Sequence, residues 1–246
     1  MQRRPGTPTR RSPAARRRRP ALAALALVLG LALGGCGSSA SAGNGVAGKP
    51  AGAIFATARS AAERAATVHV AGSILGAGKP IAINMELVAH RGGQGRLTRG
   101  DLEIELVGLN GAVYATGNAA FYERYLGAGA AHALKGTWLR QAGTRGPLRS
   151  LAPLTGLPQL IDLALGGHGA LSRAGSTRID GRSAVALEDP GEGGTLYVAT
   201  TGIPYPLAIT RAGPHASEIV FDRWDQPATI TPPTRVADVD ELESAR

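Results

Sequence analysis

The chain has 246 residues, a formal net charge of +9 and a pI of about 10.5, a balance typical of proteins that bind nucleic acid or anionic surfaces. Eight of its 27 basic residues precede Cys36 with no acidic residue among them, and the other 19 balance 18 acidic ones, so the basic charge belongs to one segment. That distribution and an aromatic content of 4% argue against a nucleic-acid partner, and the single cysteine excludes an intramolecular disulfide and a paired-cysteine zinc or redox motif.

Residues 1–35 are predicted to be the signal peptide of a lipoprotein. Residues 1–20 are polar and arginine-rich, whereas residues 21–33 are apolar and too short to span a bilayer core of roughly 30 Å. The order Leu33-Gly34-Gly35-Cys36 resembles the lipobox of bacterial lipoproteins, in which cleavage precedes the cysteine and its thiol receives a diacylglycerol. Cys36 is therefore the expected lipid-attachment site of a protein held on the extracytoplasmic face of the cell membrane, with the Sec and twin-arginine export routes both open.

Three further segments follow the signal peptide. Residues 36–52 are rich in Gly, Ser and Ala and are predicted to be a flexible tether, because such a composition buries little apolar surface. Residues 53–236 are predicted to form one domain of ordinary size. Residues 237–246 are predicted to be an acidic, solvated tail.

The first half of the domain combines a helix with several strands. Apolar residues recur at helical spacing over residues 54–65. Asn110-Gly111 predicts a two-residue hairpin turn, because both central positions of that turn need positive φ. Gly92-Gly93-Gln94-Gly95 is predicted to be a second hairpin turn. The predicted strands are residues 68–75, 79–90, 101–107 and 112–116.

Period-two alternation gives the predicted sheet one apolar and one polar face. On the clearest strand, apolar residues alternate with Asp101, Glu103 and Glu105. This pattern is typical of an antiparallel sheet that faces water on one side. The apolar positions of the two clearest strands are Ile81, Ile83, Met85, Leu102, Ile104 and Leu106.

The middle of the chain is helical and interrupted, and the last third returns to strands. Residues 118–134 are predicted to be a helix or half-helical loop, and the leucines of residues 148–165, broken by Pro153 and Pro158, predict short helices. This order predicts an α+β fold with helices on one face of a large curved antiparallel sheet. The later predicted strands are residues 171–179, 183–188, 195–200, 206–212, 218–224 and 228–231.

The layout resembles the LolA-like fold, and its details are similar to the LppX/LprG group of actinobacterial lipoproteins. Besides the lipobox at Cys36 and the opening helix, a series of short motifs in the same order carries the resemblance. They are Asn110-Gly111-Ala112-Val113-Tyr114-Ala115, Ile179-Asp180-Gly181, Leu196-Tyr197-Val198, Gly202-Ile203-Pro204-Tyr205-Pro206-Leu207, and Ile219-Val220-Phe221-Asp222-Arg223-Trp224 before Pro232-Pro233.

The resemblance implies an open antiparallel half-barrel whose concave face is covered by helices and encloses an apolar cavity for acyl chains. The residues expected to line that cavity are Ile81, Ile83, Met85, Leu102, Ile104, Leu106, Leu154, Leu157 and Ile161.

The sequence contains no recognisable catalytic constellation. Its five histidines are scattered without metal-ligand spacing, and the nucleophile-elbow, Walker A and dinucleotide motifs are all missing, so no cofactor, metal or enzymatic activity is expected. The row of Asp101, Glu103 and Glu105 is interpreted as a solvated face, with a cation-binding comb as the alternative. Trp138 and Trp224 are open to either a ligand-site or a packing role.

Three functional hypotheses follow. In the first, a membrane-anchored lipoprotein binds and carries the acyl chains of a lipid or lipoglycan, with an export or transport protein as a further candidate partner. In the second, a structural or regulatory lipoprotein of the same shape has a filled core and acts through protein contacts. The third is an exported enzyme of unrecognised type. Composition and periodicity alone reach only a membrane-tethered α+β domain, and the resemblance favours the first hypothesis.

Overall fold

The computed structural model describes residues 43–76, 79–143, 145–191, 193–213 and 216–244. Within these ranges it has twelve strands in one sheet, five α-helices and three short 3-10 turns. The predicted signal peptide and Cys36 lie outside the described residues. The strands are β1 Thr67–Gly76, β2 Lys79–Val88, β3 Gly92–Arg99, β4 Leu102–Leu109, β5 Ala112–Gly117, β6 Trp138–Ala142, β7 Ser172–Ile179, β8 Arg182–Asp189, β9 Gly194–Ala199, β10 Pro206–Arg211, β11 Ser217–Asp222 and β12 Val236–Asp238. The helices are α1 Ala51–Glu63, α2 Ala119–Leu126, α3 Ala130–Leu134, α4 Leu157–Leu165 and α5 Val239–Ser244.

The sheet is open and almost entirely antiparallel. Its strand order is β12-β6-β5-β4-β3-β2-β1-β11-β10-β9-β8-β7, so β12 and β7 are the two edges. Every neighbouring pair is antiparallel except β12 with β6, which is parallel. The predicted α+β half-barrel is confirmed. Buried residues of α1, α2 and α4 pack against the concave face of the sheet in one hydrophobic core. No helix in the described ranges has the length and apolarity needed to span a bilayer.

Residues 223–235 form a strap that crosses the outer face of the sheet from β11 to the far edge. The Gln94 side chain of β3 holds its middle, donating from Nε2 to the Thr229 carbonyl and accepting from the Thr231 amide, both at 2.9 Å. At its end, the Trp138 amide of β6 donates to the Arg235 carbonyl at 2.9 Å. The prediction of a strand at residues 228–231 was wrong. The backbone groups of Thr229 and Thr231 bond the Gln94 side chain instead of the backbone of a neighbouring strand.

The strap leads the chain to β12, at the edge of the sheet. The prediction of a solvated tail from residue 237 was therefore wrong for residues 237–244. Ala237 and Asp238 belong to β12, and Val239 of α5 is fully buried. Asp238 also accepts from the Arg140 guanidinium of β6 at 2.5 Å. An acidic composition does not prevent docking when one apolar residue and one ion pair meet partners on a strand edge.

The folded part begins earlier than the predicted tether allows, so that prediction was wrong for residues 43–52. Gly43 forms a β-bridge with Thr201, Val46 is only 1% exposed, and α1 starts at Ala51. The Asn44 side chain explains the ordering. Its Nδ2 donates to the carbonyls of Ala199, the last residue of β9, and of Gly202 in the following loop, and its Oδ1 accepts from the Val46 amide at 3.1 Å. Residues 36–42 lie outside the described residues.

The glycine-rich run at residues 92–95 is part of strand β3, so the prediction of a turn there was wrong. The turn instead occupies residues 89–91, where His90 has a φ of 58°. The other glycine-based prediction is confirmed, since Asn110 and Gly111 have φ values of 53° and 76° between β4 and β5.

Candidate functional site

A segment of short helices covers the concave face; we call residues 147–165 the cover. It consists of 3-10 turns at Pro147–Ser150 and Ala152–Thr155 followed by helix α4. Pro153 and Pro158 each stand in the first turn of their helix, where a missing amide hydrogen is tolerated, so the prediction of proline-broken helices is confirmed. The residues that the cover buries are Leu148, Leu151, Thr155, Leu157, Leu160, Ile161 and Leu165.

The structure brings all nine predicted cavity residues into one hydrophobic cluster between sheet and cover. Ile81, Leu102 and Leu154 are half-buried and pack against this cluster. In the described conformation the layer is closed by side chains, and a ligand-lining role for these residues stays a prediction. The buried members, with their exposed fractions, are Ile83 8%, Met85 0%, Ile104 4%, Leu106 1%, Leu157 1% and Ile161 0%.

Two glycines allow the cover to lie directly on the sheet. Gly93 of β3 and Gly108 of β4 are register partners. A β-carbon at residue 108 would overlap the Thr155 side chain, and one at residue 93 would meet Leu87 and the Thr155 carbonyl. These glycines were missed as site residues, although two glycines at facing strand positions signal a close approach of another backbone.

A surface groove of about 500 Å³ opens where the cover meets the ends of the β2–β3 and β4–β5 hairpins. Its wall includes Val113 and Leu157, which also belong to the buried cluster, so the groove adjoins the apolar layer. The described lining contains no Asp or Glu. Its polar or charged side chains are His90, Arg91, Asn110, Thr155 and Gln159.

One buried side-chain amide on the concave side has a hydrogen-bond partner for its oxygen but none for its nitrogen. Gln141 of β6 is 1% exposed and is the register partner of Val113. Its Oε1 accepts from the Leu148 amide of the cover at 2.8 Å, which identifies the oxygen. Its Nε2 is the single buried side-chain nitrogen or oxygen in the described residues without a hydrogen-bond partner. Nothing in the sequence pattern pointed to Gln141.

Trp224 has a packing role. It is 8% exposed, its ring stacks on Tyr205 with centroids 4.4 Å apart, and its Nε1 donates to the Pro206 carbonyl at 3.0 Å. Burial, together with the hydrogen bond that the Tyr205 hydroxyl donates to Asp225, raises the pKa of Tyr205 to about 12. Trp138 is half-buried in β6 beside β12.

The acidic row lies on the outer face, away from the cover. Glu103 and Glu105 are exposed, and Glu105 accepts from Arg96 at 2.7 Å. They line a second groove of about 400 Å³ with Thr116 and Asn118. Across the described ranges, no group of three or more His, Cys, Asp or Glu side chains is placed to hold a metal ion.

An open antiparallel sheet with helices on its concave face defines the LolA-like class of half-barrels. Among solved structures, the chain is similar to LprF from Mycobacterium bovis, with a TM-score of 0.52 and 14% identity over 75% of this chain and 97% of that one. It is also similar to the lipoprotein LppX from Mycobacterium tuberculosis, with a TM-score of 0.46 and 17% identity over 73% of this chain and 99% of that one. A LolA superfamily protein from Nitrosomonas europaea gives a TM-score of 0.22 and 9% identity over 74% and 95% of the two chains.

No protein-family model matches the sequence, and no curated protein matches it either. At the level of fold, the resemblance predicted from the sequence is confirmed.

Proposed function

We propose that this chain is a membrane-anchored extracytoplasmic lipoprotein that binds acyl chains of a lipid or lipoglycan between its concave face and the cover, and carries them. The observation that carries the proposal is the continuous apolar layer between two separate elements, a sheet and a segmented cover, with a groove at its margin. A layer of this kind can exchange side-chain contacts for contacts with an acyl chain of the same polarity.

Binding requires the cover to move away from the sheet, because the layer is closed in the described conformation. Polar contacts that hold the cover include the Gln141–Leu148 hydrogen bond and an exposed ion pair in which Arg59 of α1 contacts Asp162 at 2.5 Å. Water screens an exposed ion pair, so this pair contributes little and apolar packing holds the cover. An acyl chain replaces that packing, since each buried methylene contributes about 0.8 kcal/mol before entropic costs.

The groove is the proposed entrance for the acyl chain. It lies beside Leu157, the first residue of α4, and beside the close approach of Thr155 to Gly108. Displacement of the turn Ala152–Thr155 would therefore connect the groove with the apolar layer. The Nε2 of Gln141, next to Val113 in the groove wall, offers a donor to a ligand oxygen.

Anchoring through a diacylglycerol on Cys36 is part of the proposal. The lipobox pattern supports it, and LppX, one of the similar structures, is a lipoprotein by name. A transport or export protein would be the partner that receives or supplies the lipid. The proposed activity is binding and transfer, with no bond made or broken by the chain.

The test is ligand analysis on a chain that begins at Gly43, so that the buried Val46 is retained. Purified protein is extracted with organic solvent, the extract is analysed by mass spectrometry, and the delipidated protein is titrated with a fluorescent fatty acid. We expect a stoichiometric lipid or saturable probe binding, and heat-denatured protein is the control. Protein that carries no lipid and takes up no probe would contradict the proposal.

A second candidate, the filled-core lipoprotein that acts through protein contacts, is favoured by the burial of the predicted cavity residues. Met85 and Ile161 are fully buried by neighbouring side chains, and Leu106 is 1% exposed. In that case the layer is a permanent core and the same titration gives no binding.

A further inference from the structure

We propose that the end of the half-barrel at which the chain emerges toward Cys36 rests on the anchoring membrane, with Ile203 in the lipid interface and the groove opening toward the bilayer. This inference rests on the lipid anchor of the proposed function. We call this end the basal rim; it comprises residues 89–91, 110–111, 180–181 and 200–205.

Strand register places these loops at one end of the sheet. Gly43 forms a β-bridge with Thr201, just beyond the end of β9. The Asn44 amide donates to the Thr200 carbonyl at 2.8 Å. The groove at the hairpin ends therefore lies at the same end of the sheet as Gly43, where the described chain begins. The register pairs that carry this end across the sheet are Val198 with Pro206, Asp222 with His69, Thr67 with Val88, Gly92 with Leu109, and Leu109 with Ala112.

The length of the tether decides which end can face the membrane. Seven residue steps join Cys36 to Gly43, so a fully extended tether reaches about 25 Å. The ten residues of β1 span about 33 Å from the basal rim to the opposite end of the sheet. If that opposite end faced the bilayer, Gly43 would stand about 25–30 Å above the surface, at or beyond the limit of a fully extended tether. The basal rim is therefore the end that the anchor holds near the membrane.

The basal rim carries the side chains that such a contact needs. Ile203 is 53% exposed, in the same loop that pairs with Gly43. Exposed charges of both signs lie at this end of the sheet, namely Arg64, Arg91, Arg182 and Arg223 together with Glu63, Asp180, Asp222 and Asp225. Because these charges nearly balance, the exposed apolar side chain of Ile203 is the group at this end that fits the interface of the anchoring bilayer.

The opposite end of the sheet offers a matched control. Ile74 of β1 is 40% exposed and lies near the other end of the strand, where it pairs with Ile81. The two isoleucines have similar chemistry and exposure but differ in their distance from the tether. A membrane-resting basal rim predicts lipid contact at residue 203 and none at residue 74.

The experiment uses the chain from Cys36 to Arg246, which contains every described residue. Its only thiol, at Cys36, is coupled to a maleimide-bearing phosphatidylethanolamine in vesicles of phosphatidylcholine and phosphatidylglycerol. The variants Ile203→p-benzoylphenylalanine and Ile74→p-benzoylphenylalanine are irradiated, and protein–lipid adducts are counted by mass spectrometry. Both positions are exposed, so both variants are expected to melt as the parent does.

We expect several times more lipid adduct at residue 203 than at residue 74. Equal yields, or a larger yield at residue 74, would overturn the proposal. The anchor is imposed chemically, so the result does not depend on lipidation of Cys36 in the cell. Ile74 pairs with Ile81, an expected cavity residue, so lipid held under the cover would add adducts at residue 74 and work against the proposal. Fatty-acid titration of the same protein reports the proposed function separately, which keeps the two failures distinguishable.

Discussion

Gly108 of β4 lies directly beneath Thr155, the last residue of the second turn of the cover. The missing side chain at residue 108 is what lets the two elements meet, because a β-carbon there would overlap both the Cβ and the Oγ1 of Thr155. The same turn lies over Gly93, the partner of Gly108 in the neighbouring strand. The cover is therefore seated by backbone proximity and apolar packing, and its position should respond to a single methyl group.

The first prediction tests this seat. Gly108→Ala should lower the free energy of unfolding by about 1–3 kcal/mol, because the new methyl group pushes the turn away from the sheet. Gly52→Ala, in the first turn of α1, is the control; nothing lies within 4 Å of its β-carbon, so it should stabilise by about 0.5–1 kcal/mol. Urea unfolding of both variants measures the difference. Equal stability of Gly108→Ala and the parent would show that Thr155 does not press on the strand.

The second prediction concerns the apolar layer. Ile104 is 4% exposed, so Ile104→Trp should overpack the layer, cost about 1–3 kcal/mol of stability and abolish fatty-acid binding. A fatty acid should raise the melting temperature of the parent by mass action but leave that of the variant unchanged. Ile83→Trp, on the neighbouring strand β2, should behave like the first variant. A parent domain whose melting temperature ignores the fatty acid would favour the filled-core alternative.

The third prediction concerns the anchor. Cys36→Ser removes the only thiol in the chain, so the protein should move from the membrane fraction to a soluble or secreted fraction. Mass spectrometry of the parent should find the diacylglycerol on residue 36 as the new N-terminus. Retention of the serine variant on membranes after a high-salt wash would contradict a lipid anchor at this site.

The fourth prediction follows from the buried hydroxyl of Tyr205. Its pKa rises from 10.0 to about 12 in the folded chain, through burial and the hydrogen bond to Asp225. Between these pH values the folded state holds a proton that the unfolded state has lost. The stabilising contribution of Tyr205 is therefore fully present below pH 10, and the free energy of unfolding falls as the pH rises from 10 to 12. The loss at the upper end is roughly 2 kcal/mol.

Tyr205→Phe provides the comparison for that pH dependence. Denaturant midpoints of parent and variant, measured on both sides of pH 10, should converge as the pH rises, because the variant has no proton to lose at this site. Parallel curves would assign the alkaline instability to other groups.

The fifth prediction tests the docking of the C-terminus. Val239 is fully buried in α5, so Val239→Ala should cost about 1–2 kcal/mol of stability. Val236, in the adjoining β12, is 42% exposed, and Val236→Ala should stay within about 0.5 kcal/mol of the parent. Thermal melts of the pair decide the matter, and a neutral Val239→Ala would restore the solvated tail predicted from composition.

Local pattern was sufficient wherever a residue type and its immediate neighbours determine the conformation. The alternation through Leu102, Ile104 and Leu106 predicted β4 and its buried face, because side chains on a strand alternate with period two. Asn110-Gly111 predicted the following turn, because these residues tolerate the positive φ values that the turn requires. Both features depend on contacts within a few residues, so the sequence alone contains them.

Tertiary structure decided the segments that have little local preference. The ordering of residues 43–52 depends on Asn44, whose side-chain Nδ2 donates to two carbonyls more than 150 positions away. Residues 92–95 form a strand because β2 and β4 pair with them on both sides. Glycine at residue 93 also leaves room for the cover, which lies against it. Glycine has no side chain, so it contributes nothing to the alternation of apolar and polar residues that predicts a strand. The conformation of a glycine-rich segment therefore depends on what pairs with it and packs against it.

The sequence by itself determined an α+β fold, with helices on one face of a curved antiparallel sheet, and the apolar face of that sheet; the half-barrel was what the family resemblance implied. The tertiary structure decided that this face is closed by the cover and that Gly93 and Gly108 let the cover lie on the sheet. It also decided that the groove and Gly43 lie at the same end of the sheet. The physical reason is that polarity along a strand specifies which face avoids water, whereas the group that covers this face is chosen by packing between residues far apart in the chain.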